Sequence, residues 1–330
     1  MDRSRIWVCG HSGMVGGAVS ARLRRLGHEV LTADRKDLDL RRQSDVEAWV
    51  CDAKPDQVIV AAGTVGGIAA NQSRPAEFLY DNLMIATNVI EAARKYDCSK
   101  LVYLGASCIY PRDADQPIRE EALLTGPLEP TNEGYAVAKI AGVELCRFYR
   151  EQYAMNCVSV VPPNLYGPGQ HVGGPDAHVC GALMARLHAA VEQGQEEVVI
   201  WGTGAPTREF LYIEDLVDGL IFLLKRYAGG GPINLGYGSE ISIADLAREI
   251  ATVVGFRGRF RFDTSKPDGM MRKSLDGSQV ADMGWRPKTG LRKGLQRTYE
   301  WYLEQAPGNR EREITARICE NCDALQNTPS

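Results

Sequence analysis

Tyr135 and Lys139 stand four residues apart in GYAVAK, so on a helix both project from one face. A lysine charge lowers the pKa of a neighbouring phenol and can bind a ribose. The tyrosine is then able to exchange a proton with a sugar alcohol or ketone while a hydride moves. Many helices carry this spacing by chance, and it gains meaning from Gly10, Gly13 and Gly16, a G-x-x-G-x-x-G run between a β-branched segment and a helical one. Glycines at such a junction let the backbone turn tightly and approach a pyrophosphate at a helix N-terminus. Met14 and Val15 inside the run, with Ala61, Ala62 and Gly63 after a third apolar segment, complete the candidate dinucleotide site. The cofactor is read at Asp34 and Arg35. A carboxylate there hydrogen-bonds ribose hydroxyls and repels a 2′-phosphate, whereas an arginine accommodates the phosphate. Ser12 adds no positive charge to the glycine run, so between NAD and NADP the balance leans to NAD. Asp39 and Leu40 flank the adenine, or else cap and start the next helix.

These residues need a scaffold, and the sequence supplies an alternating one. RIWVCG, HEVLTAD, QVIVAAG, KLVYLGAS and CVSVVPPN read as strands, separated by helical stretches such as MVGGAVSARLRRLG and PAEFLYDNLMIATNVIEAARKY. That alternation predicts an α/β fold, a doubly wound parallel Rossmann sheet, with the second strand ending at Asp34. The dinucleotide-binding domain is expected over residues 1–163, with later segments returning to it. A Gly/Pro/His loop and mixed short elements follow, and they predict a smaller C-terminal substrate-binding domain, mainly 164–305, that walls a cleft. Residues 306–330 read as a polar tail.

Composition removes other classes. Across 330 residues the formal charge is -4 and no long Lys/Arg block occurs, which argues against nucleic-acid binding. No apolar run reaches the length of a membrane span and no signal-peptide layout opens the chain, so a cytoplasmic protein is expected. The nine cysteines (9, 51, 98, 108, 146, 157, 180, 319 and 322) are scattered and read as thiols; the lone C-x-x-C at 319–322 lacks a second pair, and no metal is expected.

Longer motifs make the likeness specific. GHSGMVG, VGGIAAN, SCIYP, LEPTNEGYAVAKIAG, PPNLYGPG, WGTGAPTREFLYIED and SKPDGMMRK resemble the extended short-chain dehydrogenases/reductases, and among them the GDP-L-fucose synthase family, over residues 5 to 304. The resemblance implies a 3,5-epimerase/4-reductase of a nucleotide-linked keto sugar. By that match Cys108 and His178 are the epimerisation acid and base, since a C4 ketone acidifies the hydrogens on C3 and C5. Without it, Cys108 reads as packing and His178 as a loop residue. The match also puts Ser107, Asn164, Val179, Leu183, Arg186, Trp201, Arg208 and Lys273 on the wall that binds a GDP sugar. It implies a homodimer through helices at 76–97 and 134–152.

One position departs from the pattern. Where the family places the hydroxyl partner of its tyrosine, this chain has Ala106. Successive strand residues face opposite ways, so the Ser107 hydroxyl is expected to point away while Ala106 and Cys108 share the active-site face. Met270 and Met271 also replace the usual approach to the lysine, so the base or sugar can differ from guanine and fucose. Three readings stand: a reductase that consumes NADPH after 3,5-epimerisation, an epimerase that retains NAD+ and returns its hydride, and a non-catalytic dinucleotide-binding descendant.

Overall fold

A computed structural model describes residues 3–174, 177–266 and 268–305. The first part alternates strands with helices, with two helices after β3: β1 (Arg5–Cys9), α1 (Met14–Arg25), β2 (Glu29–Leu31), α2 (Gln43–Ala53), β3 (Gln57–Val60), α3 (Ile68–Ser73), α4 (Pro75–Lys95), β4 (Lys100–Leu104), α5 (Glu133–Tyr153) and β5 (Cys157–Val161). Next come β6 (Asn164–Tyr166), α6 (Val179–Glu192), β7 (Glu197–Trp201), β8 (Thr207–Tyr212), α7 (Ile213–Arg226), β9 (Pro232–Asn234) and β10 (Glu240–Ser242). The described chain closes with α8 (Ile243–Val254), β11 (Arg259–Asp263), β12 (Arg272–Lys273), α9 (Ser278–Asp282) and α10 (Leu291–Gln305).

Six strands form one parallel sheet in the order β2-β1-β3-β4-β5-β9. Its strands are apolar on both faces, and side-chain alternation divides them between two cores. Ile6, Val8, Val102 and Val158 pack on one side with α1 and α7, while Trp7, Val58, Val60 and Tyr103 pack on the other with α2, α4 and α5. This is the doubly wound Rossmann arrangement that the alternation predicts. From β1 the chain runs outward to β2 and returns to β3 on the other side, so the sheet order reverses between β1 and β3. A crevice at the carboxyl ends of those strands is where such sheets bind ligands.

The later elements are organised around β8, which pairs with β6 and β12 in parallel and with β10 antiparallel; β7 and β11 form a separate parallel ribbon. Glu209 of β8 is wholly buried, and its carboxylate accepts from the backbone N–H groups of Tyr237, Gly238 (2.7 Å) and Leu275 (2.8 Å). One side chain thereby ties three segments together at the strand that carries Arg208.

Two strand ends differ from expectation. β2 stops at Leu31 because the chain then turns, with the Asp34 carbonyl accepting from Asp37 and Leu38 N–H (both 2.9 Å). β4 stops at Leu104, and Ser107–Ile109 form a single 3-10 turn preceded by Ala106 in extended conformation. The expected tail, with Cys319 and Cys322, lies outside the described residues.

Candidate active site

The glycine run forms a cradle that only small residues fit. Gly10 leaves β1 at φ +81°, where a side chain is strained, and a Cβ there would lie 2.7 Å from the Ala62 backbone. A Cβ at Gly16 would overlap the Gly10 carbonyl. Gly13 is the N-cap of α1 with no side-chain cap, so the first turn of that helix offers its N–H groups to an anion. These features fit a dinucleotide pyrophosphate. Ala61 and Ala62 close the cradle from β3, and a Cβ at Gly63 would sit 2.6 Å from Asn82 Oδ1 and 3.9 Å from Lys139 Nζ. The loop after β3 therefore connects the glycine cradle to the lysine. Asn82, absent from the sequence reading, holds that loop: it accepts from Thr64 N–H (3.1 Å) and donates to the Thr64 carbonyl (2.9 Å).

At the ribose end, Asp34 is exposed and its carboxylate lies 3.4 Å from His11 Nε2, while Arg35 stands exposed beside it. Asp39 caps nothing, for the N-cap of α2 is Arg42. Its carboxylate is gripped by Arg41 (2.8 Å), which holds it down to about 2, and Arg41 reaches on to Asp81 (3.0 Å). The Leu40 carbonyl accepts from Asn88 (3.0 Å).

Tyr135 and Lys139 share one face of α5. The Lys139 ammonium is buried, donates to the Leu104 carbonyl (2.8 Å), and lies 5.0 Å above the Tyr103 ring and 5.8 Å above the Tyr135 ring. Burial pulls its pKa down to about 8. Burial also raises the Tyr135 phenol above its usual value. That reverses the expectation that the lysine lowers it, because Lys139 spends its direct hydrogen bond on the carbonyl and meets the phenol only across the ring face.

Cys108 is the meeting point. Its thiol is buried and raised by desolvation, with Lys273 and then Lys139 opposing the rise, and it in turn adds to the rise of Tyr135. Because 107–109 form a turn, strand alternation does not decide which way Ser107 faces, contrary to the sequence argument; Ser107 and Cys108 are both buried while Ala106 is half-buried. His178 occupies the N-cap of α6, accessible to solvent yet closely surrounded, and desolvation together with His171 lowers its pKa. Among the described residues no hydrogen bond or charge interaction joins His178 to Cys108.

Lys273 and Arg208 lie side by side, paired in register between β12 and β8, and burial lowers both. Glu129 opposes that lowering at both cations; Thr131 N–H (3.3 Å) and Oγ1 (2.9 Å) fix its carboxylate. Asp268 acts likewise on Arg208 and accepts from Thr203 N–H (2.7 Å) and Oγ1 (2.8 Å). Neither acid was singled out from sequence, where each is one charge in a polar loop. Asn164 donates to the Glu209 carbonyl (3.1 Å), Arg186 to the Val199 carbonyl (2.6 Å), and Trp201 presents an exposed ring with Lys266 Nζ at 5.7 Å. Leu183 is only 4% exposed and belongs to the core, with Val179 half-buried against it.

Known proteins resemble this chain along most of its length. The model of the NAD dependent epimerase/dehydratase family matches residues 6–236. A GDP-L-fucose synthase of Sinorhizobium fredii (strain NBRC 101917 / NGR234) is 52% identical over 309 residues, 94% of this chain and 98% of that protein. A solved GDP-6-OMe-4-keto-L-xylo-heptose reductase from C. jejuni superposes with a TM-score of 0.87 at 32% identity, covering 93% of this chain and 99% of the other. A GDP-mannoheptose C4 reductase from Campylobacter jejuni with NADP bound gives 0.84 at 33%, covering 92% and 99%.

Proposed function

The chain belongs to the NAD dependent epimerase/dehydratase family, among the relatives of GDP-L-fucose synthase, and from that premise we propose that it is an NAD(P)-dependent epimerase/reductase of a GDP-linked keto sugar, a deoxyhexose or a heptose. The observation that carries the reading is the convergence of Tyr135, Lys139 and Lys273 on the Cys108 thiol. The glycine cradle would hold the pyrophosphate of a nicotinamide dinucleotide, and that cofactor would supply hydride chemistry at sugar C4. Tyr135, kept protonated by burial, donates the proton that a C4 oxygen requires, and Lys139 orients the ribose with its ammonium. At neutral pH burial keeps the Cys108 thiol protonated, and the lowered pKa keeps the His178 imidazole neutral. That pair holds one proton to give and one vacancy to fill, as inversion at C3 and C5 needs. Arg208 and Lys273 suit a diphosphate, Trp201 a base, and Asn164, Arg186 and Ser107 the rest of the wall.

On the finer choice of cofactor, Ser12 and Asp34 support NAD(H); Arg35 and the NADP held by a solved relative speak for the phosphorylated form. The exposed outer faces of α4 and α5 support a homodimer. Seven described cysteines are free thiols, which suits a cytoplasmic enzyme, and no helix among the described residues is long and apolar enough to cross a membrane.

The test is turnover of GDP-4-keto-6-deoxymannose in deuterium oxide with NADH and, separately, NADPH. Consumption of the cofactor with deuterium at C3 and C5 of a reduced product is expected, faster with NADH. Absence of both exchange and consumption with either cofactor would overturn the proposal. Stoichiometric NAD+ released from the denatured protein, with exchange but no net consumption, would restore the self-contained epimerase.

A further inference from the structure

Lys139 poses an electrostatic problem. The residue is 5% exposed, yet among the described residues the one hydrogen bond of its ammonium goes to a neutral carbonyl and no carboxylate lies within ion-pair distance. Removing a cation from water without a counter-charge is costly, so something else must keep the group charged. The Tyr103 ring is the nearest candidate, with its centroid 5.0 Å from Nζ, inside the range where the negative face of an aromatic ring attracts a cation. Tyr135 is farther, at 5.8 Å, and its phenol is committed to the substrate.

The fold makes room for that ring deliberately. Tyr103 is 1% exposed on β4, directly before the residue whose carbonyl Lys139 uses. Its ring lies against Gly142, three residues beyond Lys139 on α5, where any Cβ would overlap the phenol. Among the described residues the buried Tyr103 hydroxyl has no hydrogen-bond partner. Around the ammonium, the titratable groups are Tyr103 from β4, Tyr135 from its own helix and Cys108 from the turn after β4; α4 presents neutral Asn82 behind Gly63.

We propose that Tyr103 is the positioning residue of Lys139, its ring face holding the buried ammonium charged and aimed at the loop after β3, with Gly142 as the slot that admits it. The inference rests on Lys139 being the ribose-binding lysine of the proposed function, but its test does not require turnover.

The experiment is an NMR titration of protein carrying ε-13C-lysine, with the Lys139 signal assigned by its loss in Lys139→Met. The wild-type signal is expected to titrate near about 8. In Tyr103→Leu the midpoint falls by about half a unit to one unit, because loss of the ring favours the uncharged amine. Tyr103→Phe, which keeps the ring, restores the wild-type midpoint. Where the enzyme turns over, the basic limb of its pH–rate profile moves down in step. Should Tyr103→Leu fail to fold, Gly142→Ala displaces the ring and must produce the same fall. An unchanged Lys139 midpoint in either folded variant overturns the proposal, whatever the activity; an unchanged midpoint with full turnover leaves the proposed function standing while removing this inference.

Discussion

At residue scale the departure that matters is one methyl group. Ala106 precedes the turn that carries Cys108 and is half-buried, whereas its neighbours Gly105 and Ser107 are buried, so it lies where a hydroxyl could reach the cleft. A hydrogen bond to a charged phenolate contributes roughly 1.5–3 kcal/mol, about ten- to a hundredfold in rate. Ala106→Ser is therefore expected to raise the reductive kcat by that factor while leaving deuterium exchange at C3 and C5 unchanged, since in the proposed mechanism exchange depends on Cys108 and His178. An unchanged kcat would show that Ser107 or water already fills the role. The tyrosine–lysine pair was legible in the sequence because i,i+4 spacing on a helix is a local rule. The direction of the Tyr135 shift was not, because it depends on how deeply the helix face is buried and on a carbonyl from another strand.

At element scale the site depends on a strand of two residues. β12 carries Lys273, and a ladder so short cannot hold its own register. What holds it is the buried Glu209, which accepts from Leu275 N–H just beyond β12 while its own strand carries Arg208. Glu209→Gln replaces part of that acceptor with a donor facing backbone N–H groups. A loss of about 1–3 kcal/mol is expected in urea unfolding, together with a raised KM for the nucleotide sugar at nearly constant kcat, because the role proposed for Lys273 and Arg208 is uniform binding. Unchanged KM would separate the clamp from the substrate wall. The sequence showed the five major strands through their β-branched runs. It did not show this clamp, because a single Glu inside TREFLY looks like the polar member of an alternating strand until tertiary contacts bury it. The end of β4 was hidden for a similar reason: KLVYLGAS stays apolar past the point where the backbone leaves the sheet.

At the scale of the whole molecule, α4 and α5 present two different faces. Their inner faces hold the site, Asn82 on one and Tyr135 with Lys139 on the other, and the two helices are locked by Tyr149 donating to Glu91 (2.7 Å) and by the edge-on contact of Phe78 with Tyr135. Their outer faces carry Tyr80, Val137 and Phe148, which are 58%, 42% and 49% exposed. Val137 and Phe148 are eleven residues apart, three helical turns, so they form one stripe. Large apolar side chains grouped on adjacent helices mark an interaction surface more readily than scattered ones do. Two copies meeting there would give a four-helix bundle, with each catalytic helix braced from behind by its partner. Sedimentation of the wild-type protein is expected to report a dimer, and Phe148→Glu, which sets a carboxylate on the stripe, a monomer with a lower melting temperature. Because Tyr135 and Lys139 face inward, the monomer should still bind the dinucleotide, so loss of the dimer and loss of the cofactor site can be told apart. A wild-type protein that sediments as a monomer would refute the dimer, and a Phe148→Glu variant that remains dimeric would move the interface off these helices.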